Sequence, residues 1–186
     1  MNFRFDIDKA IAATAYLIQK AGGKYNILFL VKALYHANRS SLVQYARSIT
    51  GDSLSSMEKG PVVSESYDLM KGSKEADPEH LKKWRQFISE RNVNTLTIVN
   101  PPDYGYLSGR ETELLDSAYA AVSSVRGTLK DWSHKVFPEW EDPGNIVRSR
   151  PIDPTQILKL EHKSDEEIAD IEEEIAEVNW LRSIAK

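Results

Sequence analysis

Few residues in this chain have the types and spacing that chemistry needs. The four histidines are His36, His80, His134 and His162. No two share the i, i+4 spacing of a helical metal site, and none lies beside a carboxylate in a ligand motif. There is no cysteine, which removes thiolate nucleophiles, disulfides and thiolate zinc sites. Ser55, Ser56 and Ser64 lack a nucleophile elbow, and no Ser, His and Asp follow in a triad order. Lys32 and Tyr35 lie three apart on one helical pattern, where the tyrosine reads as a core aromatic with a wet hydroxyl. His134 reads as a histidine bonded to backbone near Trp132 and Trp140. The carboxylates fall mostly in solvated charge runs. The patterns show no catalytic constellation, no metal and no cofactor. An enzyme with Lys32, Tyr35 and His134 converging on one pocket stays open, because a site can be assembled from distant residues.

The stretch from Gly51 to Tyr67 is organised unlike its neighbours. Gly51-Asp52 marks a turn, and Gly60-Pro61 forces a second one. Val62-Val63 favours extended backbone, so a small hairpin is expected. Ser64 then caps a short helix that buries Tyr67 and Met70.

Helical periodicity dominates elsewhere. Ile7, Ile11, Ala15 and Ile18 form one helix, capped by Asp6 or Asp8. Asn26 caps a second, with Ile27, Leu30, Val31, Leu34 and Tyr35 on its apolar stripe, and the two form a hairpin. Asp77-Pro78 opens a helix carrying Leu81, Trp84, Phe87 and Ile88. Leu96 to Val99 reads as a strand that could pair with Val62-Val63. Ser108 and Glu111 form a capping box before the longest amphipathic segment of the body, expected to be its central helix. Thr128 caps a short helix with Leu129, Trp132 and Val136, and a loop with Phe137 and Trp140 follows, its rings covering the core edge. Residues 148 to 151 read as a connector, and Asp153-Pro154 starts a helical turn with Ile157, Leu158 and Leu160. A second capping box, Ser164 to Glu167, opens a final helix with Ile168, Ile171, Ile175 and Val178 as its seam. That seam must pack on the body, a second copy or a partner.

The expected fold is therefore mainly α with a small β element, an α+β chain. A compact helical domain over residues 1–163 carries a short hairpin or small sheet. An acidic amphipathic helix over 164–186 packs on that domain or on a partner. The chain has 186 residues, 41% of them hydrophobic, enough for a sizeable core. Its net charge of −4 is uneven: residues 164–186 carry −6, leaving +2 on the rest. The body lacks a basic footprint or reading helix, so no direct nucleic-acid binding is expected. No signal peptide or spanning run is read, which makes a cytoplasmic location the expectation. The acidic end could complement a basic partner.

Four motifs in order give a resemblance. The run Leu30-Val31-Lys32-Ala33-Leu34-Tyr35-His36-Ala37 is similar to the Leu-x-Lys-Leu-x-Tyr helix of the Panacea (SocA-like) antitoxin domain family. Gly60-Pro61-Val62 with Tyr67 resembles its Gly-Pro-Val-x-x-x-x-Tyr signature at a similar distance. Leu107-Ser108-x-x-Glu111 with Leu114-Leu115 resembles the next helix, and Ser133-His134 with Trp140 its Ser/Thr-His and Pro-Trp ending. The likeness spans roughly residues 5–160.

The resemblance implies a non-enzymatic antitoxin from a bacterial or phage toxin–antitoxin system, acting by direct binding to a cognate protein toxin encoded next to it. Some relatives instead deliver a toxin to an AAA+ protease, so an adaptor role is the alternative. The residues the resemblance marks as toxin-binding or family-motif positions are Lys32, Tyr35, Gly60, Pro61, Val62, Tyr67, His134 and Trp140, with the toxin expected near Lys32, Tyr35, Gly60 and Val62. From charge, the acidic helix residues Asp170, Glu173, Glu174 and Glu177 add a second candidate surface. The hairpin turn could accept a partner strand through exposed extended backbone. Met57-Glu58-Lys59 departs from the aromatic that relatives often carry before the Gly-Pro turn, so partner specificity does not carry over.

Overall fold

A computed structural model describes residues 1–145 and 147–184, and of Arg182 only the backbone. Among these, eight α-helices and five short strands make an α+β fold. None of the helices is long and apolar enough to cross a membrane.

Helix α1 (Ile7–Lys20) starts where the Asp6 carboxylate accepts the amides of Asp8 and Lys9, each at 3.1 Å. Strand β1 (Lys24–Asn26) leads into α2 (Ile27–Tyr45), capped by Asn26, which accepts from the Leu28 amide at 2.8 Å. Helix α2 is the centre of the molecule. It buries eleven of its nineteen residues, against four of fifteen in α5 (Gly109–Ser123). The expectation that α5 is central is thus corrected. The reciprocal Ser108–Glu111 box gives α5 the sharper start signal, but the two helices have equal amphipathic contrast, so that contrast does not tell them apart. What separates them is how much of each is enclosed, which depends on neighbours distant in the chain.

Strands β2 (Leu54–Met57) and β3 (Gly60–Val63) form the expected hairpin. Strand β5 (Ser149–Ile152) pairs with the other side of β2, giving the order β3-β2-β5. The segment read as a connector is therefore a strand. Its Arg-Pro content gives no alternation to recognise. Strand β4 (Thr95–Thr97) pairs with β1 and not with Val62-Val63. A three-residue strand like β1 has too few positions to show a period.

Helix α3 (Ser64–Lys71) corrects another expectation. Val63 occupies the cap position, and Ser64 is already helical, its Oγ 3.0 Å from that of Ser55. The cap comes from a distance. Buried Asp52 accepts from the Ser66 amide and hydroxyl, both at 2.7 Å. Met70 is buried as expected, while Tyr67 is only partly so. Helix α4 (Pro78–Trp84) is capped by Asp77 and buries Trp84, with Ile88 buried beyond its end. Helix α6 (Leu129–Val136) buries Leu129 but leaves Val136 exposed. Helix α7 (Pro154–Leu160) buries Ile157 and Leu158 and exposes Leu160.

Helix α8 (Asp165–Ile184) opens with the expected capping box: the Ser164 amide reaches Glu167 at 2.8 Å, and the Glu167 amide reaches Ser164 Oγ at 3.2 Å. Its seam faces this chain's own body, with Ile168 and Ile175 buried and Ile171 and Val178 partly buried.

Candidate functional site

The site grows from one stripe of α2, where Lys32, Tyr35 and Arg39 recur at helical spacing. Lys32 is fully buried, and its ammonium donates to the Pro61 carbonyl at 2.7 Å. Among the described residues no carboxylate compensates the burial, and desolvation brings its pKa down to about 7. Gly60 sits directly above, with φ at +91°. A Cβ there would lie 2.1 Å from Ser133 Oγ and 2.8 Å from Lys32 Nζ. The turn expected at Gly60-Pro61 falls instead on Glu58-Lys59, and Gly60 and Pro61 open β3; Gly60 is a close approach of backbone to a buried lysine, which only glycine permits.

One turn along, the Tyr35 hydroxyl donates to Glu139 at 2.7 Å. The Arg39 guanidinium forks onto both oxygens of Glu139, at 2.8 and 3.2 Å, and also reaches Glu161 at 2.7 Å. Burial beside Glu139 holds the Tyr35 hydroxyl well above its usual pKa, and Arg39 opposes this only weakly. Glu139 itself is buried, and sequence reasoning passed over it. The signal was the buried tyrosine: a hydroxyl deep in a core needs a partner, and the aromatic loop offered one acid between Pro138 and Trp140.

The same loop grips the hairpin. Trp140 Nε1 donates to the Met57 carbonyl at 2.8 Å, and the Glu141 amide to Ser56 Oγ at 3.1 Å. His134 stacks on Trp140 at 3.4 Å between ring centres and 12° between planes. Its pKa is lowered by burial first, then by the charges of Lys130 and Lys32. His134 Nε2 is buried with no hydrogen-bond partner among the described residues.

In front of this assembly opens a cleft of about 600 Å³. Lys32, Gly60, Val62 and Tyr67 line it together with Asp142, Gly144, Val147 and Arg148. The structure thus brings four of the motif residues to one concave surface. Tyr35, His134 and Trp140 do not line it; they brace the helix, loop and hairpin behind it. Lys32, Tyr35 and His134 each face a different neighbour: the Pro61 carbonyl, Glu139 and the Trp140 ring. Asp170, Glu173, Glu174 and Glu177 are exposed on α8 and do not line the cleft. Among the described residues no group of His, Asp and Glu side chains is placed to hold a metal ion.

The expected strand-accepting turn needs correction. All four residues of β3 are buried, and the Pro61 carbonyl is taken by Lys32. Strand β5 is the more exposed edge, but it contains Pro151. Pro61 and Pro151 pair with the adjacent β2 residues Ser56 and Ser55. Adjacent residues of a strand turn their backbone groups to opposite sides, so one alternation puts both prolines on the outer edges. Each edge lacks an amide donor where a partner strand would need one.

A family model described as "Antitoxin SocA-like, Panacea domain" matches residues 30–141, more than half of the chain. No curated protein and no solved structure matches.

Proposed function

The chain belongs to the SocA-like Panacea antitoxin family, and we propose from that membership that it neutralises a cognate protein toxin by direct contact. The observation that carries this reading is the cleft, where Lys32 and Val31 of α2 meet Gly60, Val62 and Tyr67 from a segment about thirty residues further on. The cleft mixes an apolar floor of Val31, Val62 and Met57 with the charges of Lys59, Arg148 and Asp142 at its margin. That composition suits a protein side chain or short loop. The groups with most chemical potential support binding over turnover. Lys32 is committed to a carbonyl and Tyr35 to a carboxylate, so both hold the scaffold that shapes the cleft. The system is bacterial or phage, and the protein acts in the cytoplasm beside its toxin.

The test is neutralisation. The adjacent reading frame is induced with and without this protein, and the pair is co-purified at low and high salt. Relief of growth arrest with a stable complex supports direct binding. Relief with disappearance of the toxin band turns the reading to an adaptor for an AAA+ protease. A harmless neighbour that never co-purifies overturns it.

A further inference from the structure

Helix α8 has two faces, and among the described residues only one is used within this chain. Ile168, Ile171, Ile175 and Val178 turn towards the body. The flanking acids on that side are also engaged. Glu172 meets the N-terminal amine at 3.2 Å, and Glu174 meets Arg47. Lys159 and Lys163 pair with Asp165 and Glu167.

The opposite face is different. Glu166, Asp170, Glu173 and Glu177 follow at four-three-four spacing, so they form one stripe along the helix. All four are exposed, and among the described residues none enters an ion pair. Three and four positions further, the same stripe continues as Trp180 and Leu181, then Ile184. These are 60%, 47% and 61% exposed. Large apolar side chains on the face turned away from the core contribute nothing to folding and cost solubility. Helix α8 also lies beyond residue 141, where the family match stops.

We propose that this outward stripe is a second docking surface, for a basic protein that presents an apolar groove bordered by Lys and Arg side chains. The inference rests on the antitoxin reading, and the basic protein is the toxin. Charge selects the occupant. Four acids in a row repel anionic lipid, nucleic acid and the same stripe of a second copy, and they attract a basic protein surface. The apolar end fits the helix-in-groove mode, in which residues at i, i+3, i+4 and i+7 insert as anchors. The two parts divide the work: the acids govern the rate of encounter, and Trp180, Leu181 and Ile184 govern how long the complex lasts.

The test uses the full-length protein, with the product of the adjacent reading frame as probe. One variant carries Trp180→Ala, Leu181→Ala and Ile184→Ala, a second carries Asp170→Asn, Glu173→Gln and Glu177→Gln, and Glu113→Gln, exposed on α5, is the control away from α8. The apolar variant is expected to dissociate roughly tenfold faster or more with its on-rate kept. The acidic variant is expected to associate roughly tenfold more slowly at low salt, with the difference fading at high salt. The control should behave as the parent. Dissociation of the apolar variant at the parent rate, while neutralisation persists, overturns the second surface and leaves the antitoxin reading standing. A parent protein that neither rescues growth nor binds overturns both. A dimer of the parent that the apolar variant abolishes assigns the face to a second copy and also overturns the proposal. Should the apolar variant misfold, hydrogen exchange of the parent complex decides the matter: slower exchange over residues 176–184 is expected, and unchanged exchange there overturns it.

Discussion

At the scale of single residues, Gly60 and Lys32 depend on one another. Gly60→Ala would add a methyl group 2.1 Å from Ser133 Oγ, at a φ that L residues rarely adopt. The expected cost is on the order of 2–4 kcal/mol, combining backbone strain and overpacking. Gly144→Ala, at φ +70° with nothing within 4 Å, should cost only about 1 kcal/mol. Denaturant titration of the two variants checks the contrast, and equal costs would remove the close-approach account. Lys32 supplies a pH signature. Its folded pKa of about 7 lies below the ordinary 10.5, so the native state favours the neutral amine. Between those two values the unfolded chain holds more protons, and stability rises with pH across that window. Below pH 7 the burial penalty is constant. Lys32→Met should abolish this rise, so the stability difference between the two proteins slopes only from about pH 7 to 10.5. The neutral amine still donates to Pro61, so the turn itself should survive the titration.

Elements are joined here by buried polar groups supplied from outside them. Asp52 caps α3 from a preceding loop, and burial raises its pKa from 3.8 to about 7 against the hydrogen bonds from Ser66 and Thr50. A raised carboxyl pKa means the native state binds the extra proton, so stability falls as pH climbs from about 4 to 7. Asp52→Asn keeps an acceptor for the Ser66 amide and cannot ionise. It should flatten that fall, which thermal melts across the range would show. The Glu139 loop is tied to α2 in the same manner. Tyr35→Phe should cost about 1 kcal/mol, because Arg39 still satisfies Glu139. Glu139→Ala should cost about 3 kcal/mol, since it strands the buried Tyr35 hydroxyl and leaves the Arg39 guanidinium with Glu161 alone. The double variant should cost less than the sum of the two, and strict additivity would show that the hydroxyl bond adds nothing.

For the whole molecule, the division into a body and a terminal helix becomes a stability question. Helix α8 is held by Ile168 and Ile175, a few surface ion pairs and the Asn179 contact to the Asn2 carbonyl at 2.9 Å. We expect a chain ending at residue 163 to fold cooperatively and to lose about 3 kcal/mol, the worth of one or two buried isoleucines. Loss of the cooperative transition would make α8 part of the core. The truncated protein should also bind the toxin with a weaker salt dependence of its on-rate, because the −6 segment is gone.

What the sequence determined by itself is what local chemistry controls. Caps at Asp6, Asn26, Asp77, Ser108, Thr128 and Ser164 set most helix starts, since each satisfies amides within a turn of its own position. Gly-Pro and the paired valines set the β2–β3 hairpin for the same reason. The family likeness was equally legible, because motif order survives without coordinates. Tertiary structure alone decided which helix is central, that β5 and not β4 joins the hairpin sheet, and that Asp52 caps α3. It alone showed that Glu139 receives Tyr35 and Arg39, and that Lys32, Gly60, Val62 and Tyr67 share one cleft while both sheet edges are blunted by proline. Each of these joins residues far apart in the chain, and the energy that selects them comes from burial against a partner that no local window contains.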